Sequence, residues 1–247
     1  MDETTIACGG CQPGTQPPAE ASAAAQHCSE AYSRGLRCLA AGDSAQAARC
    51  LREAAEHGHA GAQYHLARML RRGAGGPRQP LRAAHWFGLA AAQGHARAQC
   101  ALGVMLKGGR ELPCDYGASA AWLQQAAARC EAVAQYHLGD LYAQGHGVPR
   151  DARLAAFWFG AAAEQDLGAA QYRLGLLLRD GIGVARDLEQ AAAWLRRAAE
   201  QGCNDARRQL GALRPAACDA PWDDRCDAAW QRATRVGAAP AAAASAA

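Results

Sequence analysis

The stretch Ala169–Gly202 reads AAQYRLGLLLRDGIGVARDLEQAAAWLRRAAEQG. Shifted upstream by 36 residues it meets a copy of itself, and two further shifts find two more. Gln63, Gln99, Gln135 and Gln171 keep that step, as do Leu66, Leu102, Leu138 and Leu174. Trp86, Trp122, Trp158 and Trp194 keep it too, and so do Gly73, Gly109, Gly145 and Gly181. A fixed period of this length marks a repeat architecture, in which each unit buries its apolar face only against its neighbours.

Inside one unit the period is helical. Ala170, Leu174 and Leu178 fall at i, i+4 and i+8, one face of a first helix. Gly181-Ile182-Gly183-Val184 breaks the run, because closely spaced glycines favour positive φ. Asp187 then stands where an N-cap would satisfy free N–H groups of a second helix. In that helix Ala191, Trp194, Leu195, Ala198 and Ala199 form a broad apolar stripe. Gly202 closes the unit at a left-handed cap. The unit is a helix hairpin.

The string A-x-Q-Y-x-L-G, then G-x-G-V-x-x-D, then A-A-x-W followed by A-A-E-Q-G resembles the Sel-one-like repeat, a slightly longer relative of the tetratricopeptide. It covers about three quarters of the chain, from Glu30 to Leu213. The resemblance implies an all-α, right-handed α/α solenoid of about five helix-hairpin repeats with a C-terminal capping helix. It also implies a bacterial adaptor or scaffold for other proteins, without catalytic activity of its own.

Taken in order, residues 1–26 are rich in Ala, Pro, Gly and Ser and read as a disordered arm. The solenoid is expected over 27–214. Its first hairpin is short, with Gly42-Asp43 in place of the longer loop and Cys50 in the tryptophan column, as befits a terminal capping unit. The next unit has Gln79 where the others have Asp, so its second helix is expected to lose capping. The unit from Ala98 to Cys130 departs most, with Glu111-Leu112 replacing Gly-Val and Cys130 replacing the closing Gly. A non-Gly residue at positive φ costs about 1 kcal/mol or more, so that turn is expected to take another path. Asp166 in the same column is better tolerated there. Trp222, Cys226, Ala229, Trp230 and Ala233 suggest a capping helix within 215–236, followed by an Ala-rich disordered tail over 237–247.

Composition bounds function. A net charge of +3 gives no nucleic-acid footprint. Only one of the 26 basic residues, Lys107, is lysine, which we read as GC-rich coding bias. No apolar run spans a membrane, and MDETTIACGG has no signal-peptide core; the expected location is the cytoplasm. The 11 cysteines cannot all pair within one chain. Cysteine-rich relatives staple each hairpin with a disulfide, but the columns that would carry it hold Ala91, Ala127, Ala163 and Ala199 with Gln99, Gln135 and Gln171. A reduced chain follows, and the β-lactam hydrolysis associated with those relatives is disfavoured. Cys8 and Cys11 have metal or redox spacing, yet no second ligand pair completes a zinc site. A thiol or metal protein using this arm is the rival reading, and no cofactor is expected.

No catalytic constellation stands out. The tryptophans read as core facing the partner helix, so Trp158→Ala should cost roughly 3–5 kcal/mol. In tetratricopeptide-like solenoids the first helices line the concave face. By that resemblance Tyr64, Arg68, Arg71, Cys100, Lys107, Tyr136, Asp140, Gln144, Tyr172 and Arg179 are its exposed residues. Tyr and Arg are enriched in interface hot spots, and the charge along this column is mixed. Asn204 is the only Asn, so a carboxylate clamp is disfavoured. The expected ligand is a protein or peptide, a helix or extended segment lying in the groove.

Overall fold

The computed structural model describes residues 19–213, with side chains from residue 26 onward. Every regular element among these residues is a helix: α1 (Ala19–Ala40), α2 (Ser44–Glu56), α3 (Ala60–Arg72), α4 (Pro80–Ala92), α5 (Ala96–Gly108), α6 (Tyr116–Ala127), α7 (Ala132–Gln144), α8 (Ala152–Glu164), α9 (Gly168–Asp180), α10 (Leu188–Glu200) and α11 (Asn204–Leu213). Helices α1 to α10 form five consecutive hairpins, the second helix of each packs on the first helix of the next, and α11 packs on α10. The expected capping helix within 215–236 and the tail over 237–247 lie outside the described residues, as do Cys8 and Cys11. Helix α1 starts at Ala19, inside the stretch read as an arm. The segment AEASAAAQ is low in complexity, but its alanines are the strongest helix formers.

Local signals set the helix ends. Gly73, Gly109, Gly145 and Gly181 close the first helices in the left-handed region. Asp43, Asp115, Asp151 and Asp187 open the second helices, each accepting a bond from an N–H of the first turn. Gln79 makes no such bond, and Pro80 at the first helical position leaves one fewer orphan N–H there. His59 and His95 cap α3 and α5, each Nδ1 accepting at 3.2 Å from the N–H three residues on.

Within a hairpin, a small residue of the first helix receives a large one of the second. A Cβ placed on Gly139 would stand 3.0 Å from the Phe159 ring, so the absent side chain is the socket. Gly103 and Gly175 receive Leu123 and Leu195 in the same way. Phe87, Leu123, Phe159 and Leu195 are accordingly the deepest residues of the second helices.

The tryptophan column belongs to the core but lies less deep than expected. Trp86, Trp122, Trp158 and Trp194 are half-buried, whereas the adjoining Phe87, Leu123, Phe159 and Leu195 are fully enclosed. Trp158 packs on the cluster that joins Leu138 and Leu141 of its own first helix to Ala120 and Leu123 of the preceding second helix, and Trp194 on the one that joins Leu174 and Leu178 to Phe159.

Buried glutamines tie the same joints. Gln63, Gln99, Gln135 and Gln171 each donate Nε2 to the carbonyl of Ala55, Ala91, Ala127 or Ala163 at the end of the preceding second helix. Gln93, Gln165 and Gln201 donate in turn to the Oε1 of Gln63, Gln135 and Gln171. The second full unit has Arg129 at that position, and the Oε1 of Gln99 is left buried without a partner.

The closing turn of that unit follows the common path after all. Cys130 has φ +59°, the same as Asp166, in the column of Gly94 and Gly202. The helix on each side is held by its neighbours, so the stack imposes the left-handed turn and the side chain bears the strain. Cys130 is exposed, so Cys130→Gly removes strain and little else. We expect stabilisation by about 1 kcal/mol, read as a higher urea midpoint at unchanged slope.

Candidate partner-binding face

The first helices form one face of the stack, and α5 also touches α7 directly. Tyr64, Arg68, Arg71 and Cys100 come together there around an open depression of about 470 Å³. Val104 and Ala101 contribute its apolar part, and Arg72, Arg97, Glu131 and His137 its rim. The depression opens where Cys100 takes the place held by Tyr64, Tyr136 and Tyr172 in the neighbouring units. A second depression of about 430 Å³, lined in part by Arg78, Arg110 and Glu111, shares Arg71 and Val104 with the first. The two make a continuous track toward the C-terminal ends of α3 and α5.

Cys100, expected on the exposed surface, is 6% exposed. Tyr64 is held in place by His95, stacked at 4.8 Å between centroids, and carries the Arg68 guanidinium 5.6 Å from its own centroid.

The other expected residues stand apart from this depression. Lys107 and Arg173 both pair with Asp140, Arg173 at 2.7 Å, and Gln144 donates to the same carboxylate at 2.9 Å. This network joins α5, α7 and α9 and consumes the charges of Lys107 and Asp140. Burial pushes the Asp140 carboxyl up, but the Lys107 hydrogen bond and the two cations outweigh it and hold the group below its ordinary value. Tyr136 lies against Phe159 at 5.7 Å between centroids, and its hydroxyl titrates higher than usual because it is half-buried. Tyr172 packs on the last cluster. Arg179 engages Asp180 at 2.7 Å and also Gln209.

Charge on this face is therefore sorted rather than mixed. The cations beside Asp140 are paired, whereas Arg68, Arg71 and Arg72 form no ion pair among the described residues. Arg97 meets Glu131 only at 3.8 Å. The sequence reading missed Arg72, Val104 and Arg173. Arg173 was within reach, since Lys107–Asp140 and Asp140–Arg173 share one spacing of 33 residues, the offset between facing positions of adjacent first helices.

The thiol of Cys100 and the imidazoles of His65 and His137 are uncharged near neutrality. Burial pushes the Cys100 thiol up to about 12, with the nearby Glu131 adding to it, so it is no thiolate nucleophile. Burial lowers His137 to about 4, helped by Lys107, and lowers His65 to about 4, helped by Arg68. Both lie below the unfolded value of 6.5, so the unfolded chain takes up protons first as pH falls. Their contribution is complete above pH 6.5 and is lost as pH drops toward 4, by up to roughly 3 kcal/mol for His137. Urea midpoints between pH 7.5 and 4.5 should fall less steeply in His137→Gln than in the parent.

A family model for the Sel1 repeat matches residues 21–59, 60–95, 96–129, 132–167 and 168–203. The chain belongs to the Sel1 repeat family. Its five Sel1 units correspond to the five hairpins from α1 to α10, and α11 follows the last of them. Among solved structures the chain is similar to a Sel1 repeat protein from Oxalobacter formigenes, at 36% identity and a TM-score of 0.67, covering 78% of this chain and 57% of that one. It is also similar to c5321, a protective antigen present in uropathogenic Escherichia coli strains that displays an SLR fold. That match has 27% identity and a TM-score of 0.72, covering 89% of this chain and 48% of that one. The chain thus spans about half the length of these relatives. No curated protein matches it. Sel1 repeat proteins generally mediate protein–protein interaction. No helix among the described residues is long and apolar enough to cross a membrane.

Proposed function

We propose that this Sel1 repeat protein is a non-catalytic, cytoplasmic interaction module that holds a partner's helix or extended segment in the track along its first helices. The observation that carries this reading is the depression around Tyr64, Arg68, Arg71 and Cys100, built from three successive first helices and continuous with a second one. A site spread over three units asks for an elongated ligand, and aromatic and Arg side chains are the anchors such interfaces favour. The buried seams behind it hold those anchors in fixed relation, which lowers the ordering cost of binding.

The test is affinity capture with mass spectrometry, comparing the parent with Val104→Trp, which fills the track, and Phe157→Ala. Phe157 is 63% exposed on α8, a second helix. Partners should be lost from Val104→Trp and kept by Phe157→Ala, with the helical circular dichroism of both intact. Identical partner sets for the parent and Val104→Trp would move the site elsewhere.

A further inference from the structure

We infer that the track selects an acidic segment of a partner protein, with one apolar side chain seated over Cys100 and Val104. This deepens the docking reading above and rests on it. The depression is lined by four guanidinium groups, those of Arg68, Arg71, Arg72 and Arg97, against the single carboxylate of Glu131. Among the described residues Arg71 and Arg72 form no ion pair, and the adjoining depression adds Arg110 and Arg78, the latter bonded to Glu111 at 2.9 Å.

Basic residues in the last turn of a helix also complement its dipole. That does not account for the pair, because the same turn of α7 is Ala143-Gln144 and that of α9 ends in Arg179-Asp180. Where Arg179 has Asp180 beside it, Arg71 and Arg72 are followed by Gly73 and Ala74. His65 and His137 stay neutral here, so the field comes from guanidinium groups alone and does not titrate in the physiological range. Of the two acids here, Asp140 is already held by Lys107 and Arg173, and Glu131 has Arg97 3.8 Å away, so neither stands alone against an incoming carboxylate. Beneath the arginines the surface is apolar, and the missing tyrosine ring at Cys100 leaves room for a side chain of leucine or phenylalanine size. An acidic run with one such residue satisfies both features. A basic segment would leave the guanidinium groups facing like charge.

The probe is an array of synthetic dodecapeptides, each with a central Leu or Phe, in Glu/Asp-rich, Ser/Gly-rich and Lys-rich backgrounds. Binding is compared between the parent, Arg71→Glu with Arg72→Glu, and Val104→Trp. We expect the acidic peptides to bind the parent, to weaken roughly tenfold in the charge-reversed variant, and to weaken as salt is raised. The Lys-rich peptides should bind that variant and not the parent. Equal binding of neutral or basic peptides by the parent, or acidic binding that survives charge reversal, overturns this inference. If such binding is still lost in Val104→Trp, the docking reading stands without it. If no peptide class depends on Val104, both fall.

Discussion

Gly183→Ala should lower stability by roughly 3 kcal/mol or more, and Gly147→Ala by a similar amount. Two costs combine at each site. The residues sit at φ +73° and +72°, where a Cβ is strained against its own backbone. The loop also presses on the preceding unit. A Cβ on Gly183 would fall inside the van der Waals radius of the Ala152 carbonyl, and one on Gly147 would do the same to the Tyr116 carbonyl. Backbone cannot rotate aside as a side chain can, so the seam between units must open. Gly75 repeats the contact against Ser44, with its notional Cβ 2.7 Å from that carbonyl oxygen. The unit carrying Glu111 in this column gives up the contact and uses the Arg78–Glu111 ion pair instead. Gly160→Ala is the control: this residue lies inside α8 with open space where the methyl would go. It should stabilise by about 0.5–1 kcal/mol. Chemical unfolding of the three variants side by side checks the contrast.

Phe159→Ala should cost about 3–5 kcal/mol, and Trp158→Ala clearly less, despite the larger ring it removes. Phe159 is 1% exposed and seated against Gly139, with the Arg173 guanidinium 5.4 Å above the ring and Tyr136 beside it. Deleting it leaves a closed cavity between two helices that neighbours on both sides hold apart. Trp158 packs where its own first helix meets the preceding second helix and is half-buried, so solvent can reach part of the space it vacates. Equal losses for the two variants, or a larger one for Trp158→Ala, would make the tryptophan as deep a part of the core as Phe159.

The hairpin, its caps and its period could be read from the residues because each is a local property. Glycine at positive φ, Asp at an N-cap and apolar residues at helical spacing need no knowledge of the neighbouring unit. The depth of Trp158 relative to Phe159 was not legible. Adjacent residues both fall within a broad apolar stripe, and which one is enclosed depends on how closely Gly139 admits the opposite helix. Cys130 was misjudged for a related reason: local preference disfavours its turn, but two docked helices dictate it. On the face of the first helices, residue types were legible and partnerships were not. Lys107, Asp140 and Arg173 pair at an offset of 33 residues, whereas the sequence repeats at 36, so the period alone sends each to the wrong neighbour. The gap at Cys100 is visible as a broken tyrosine column, but only the packed helices turn that break into a concavity.

The central claim is that partners dock along the first helices. Its most direct measurement is site-specific photocrosslinking in cells, with a benzophenone side chain placed at Arg72 on α3 or at Phe157 on α8, both exposed. The account predicts a discrete crosslinked partner from position 72, weakened by Arg71→Glu, and none from position 157. A partner crosslinked from position 157 and not from position 72 would contradict it.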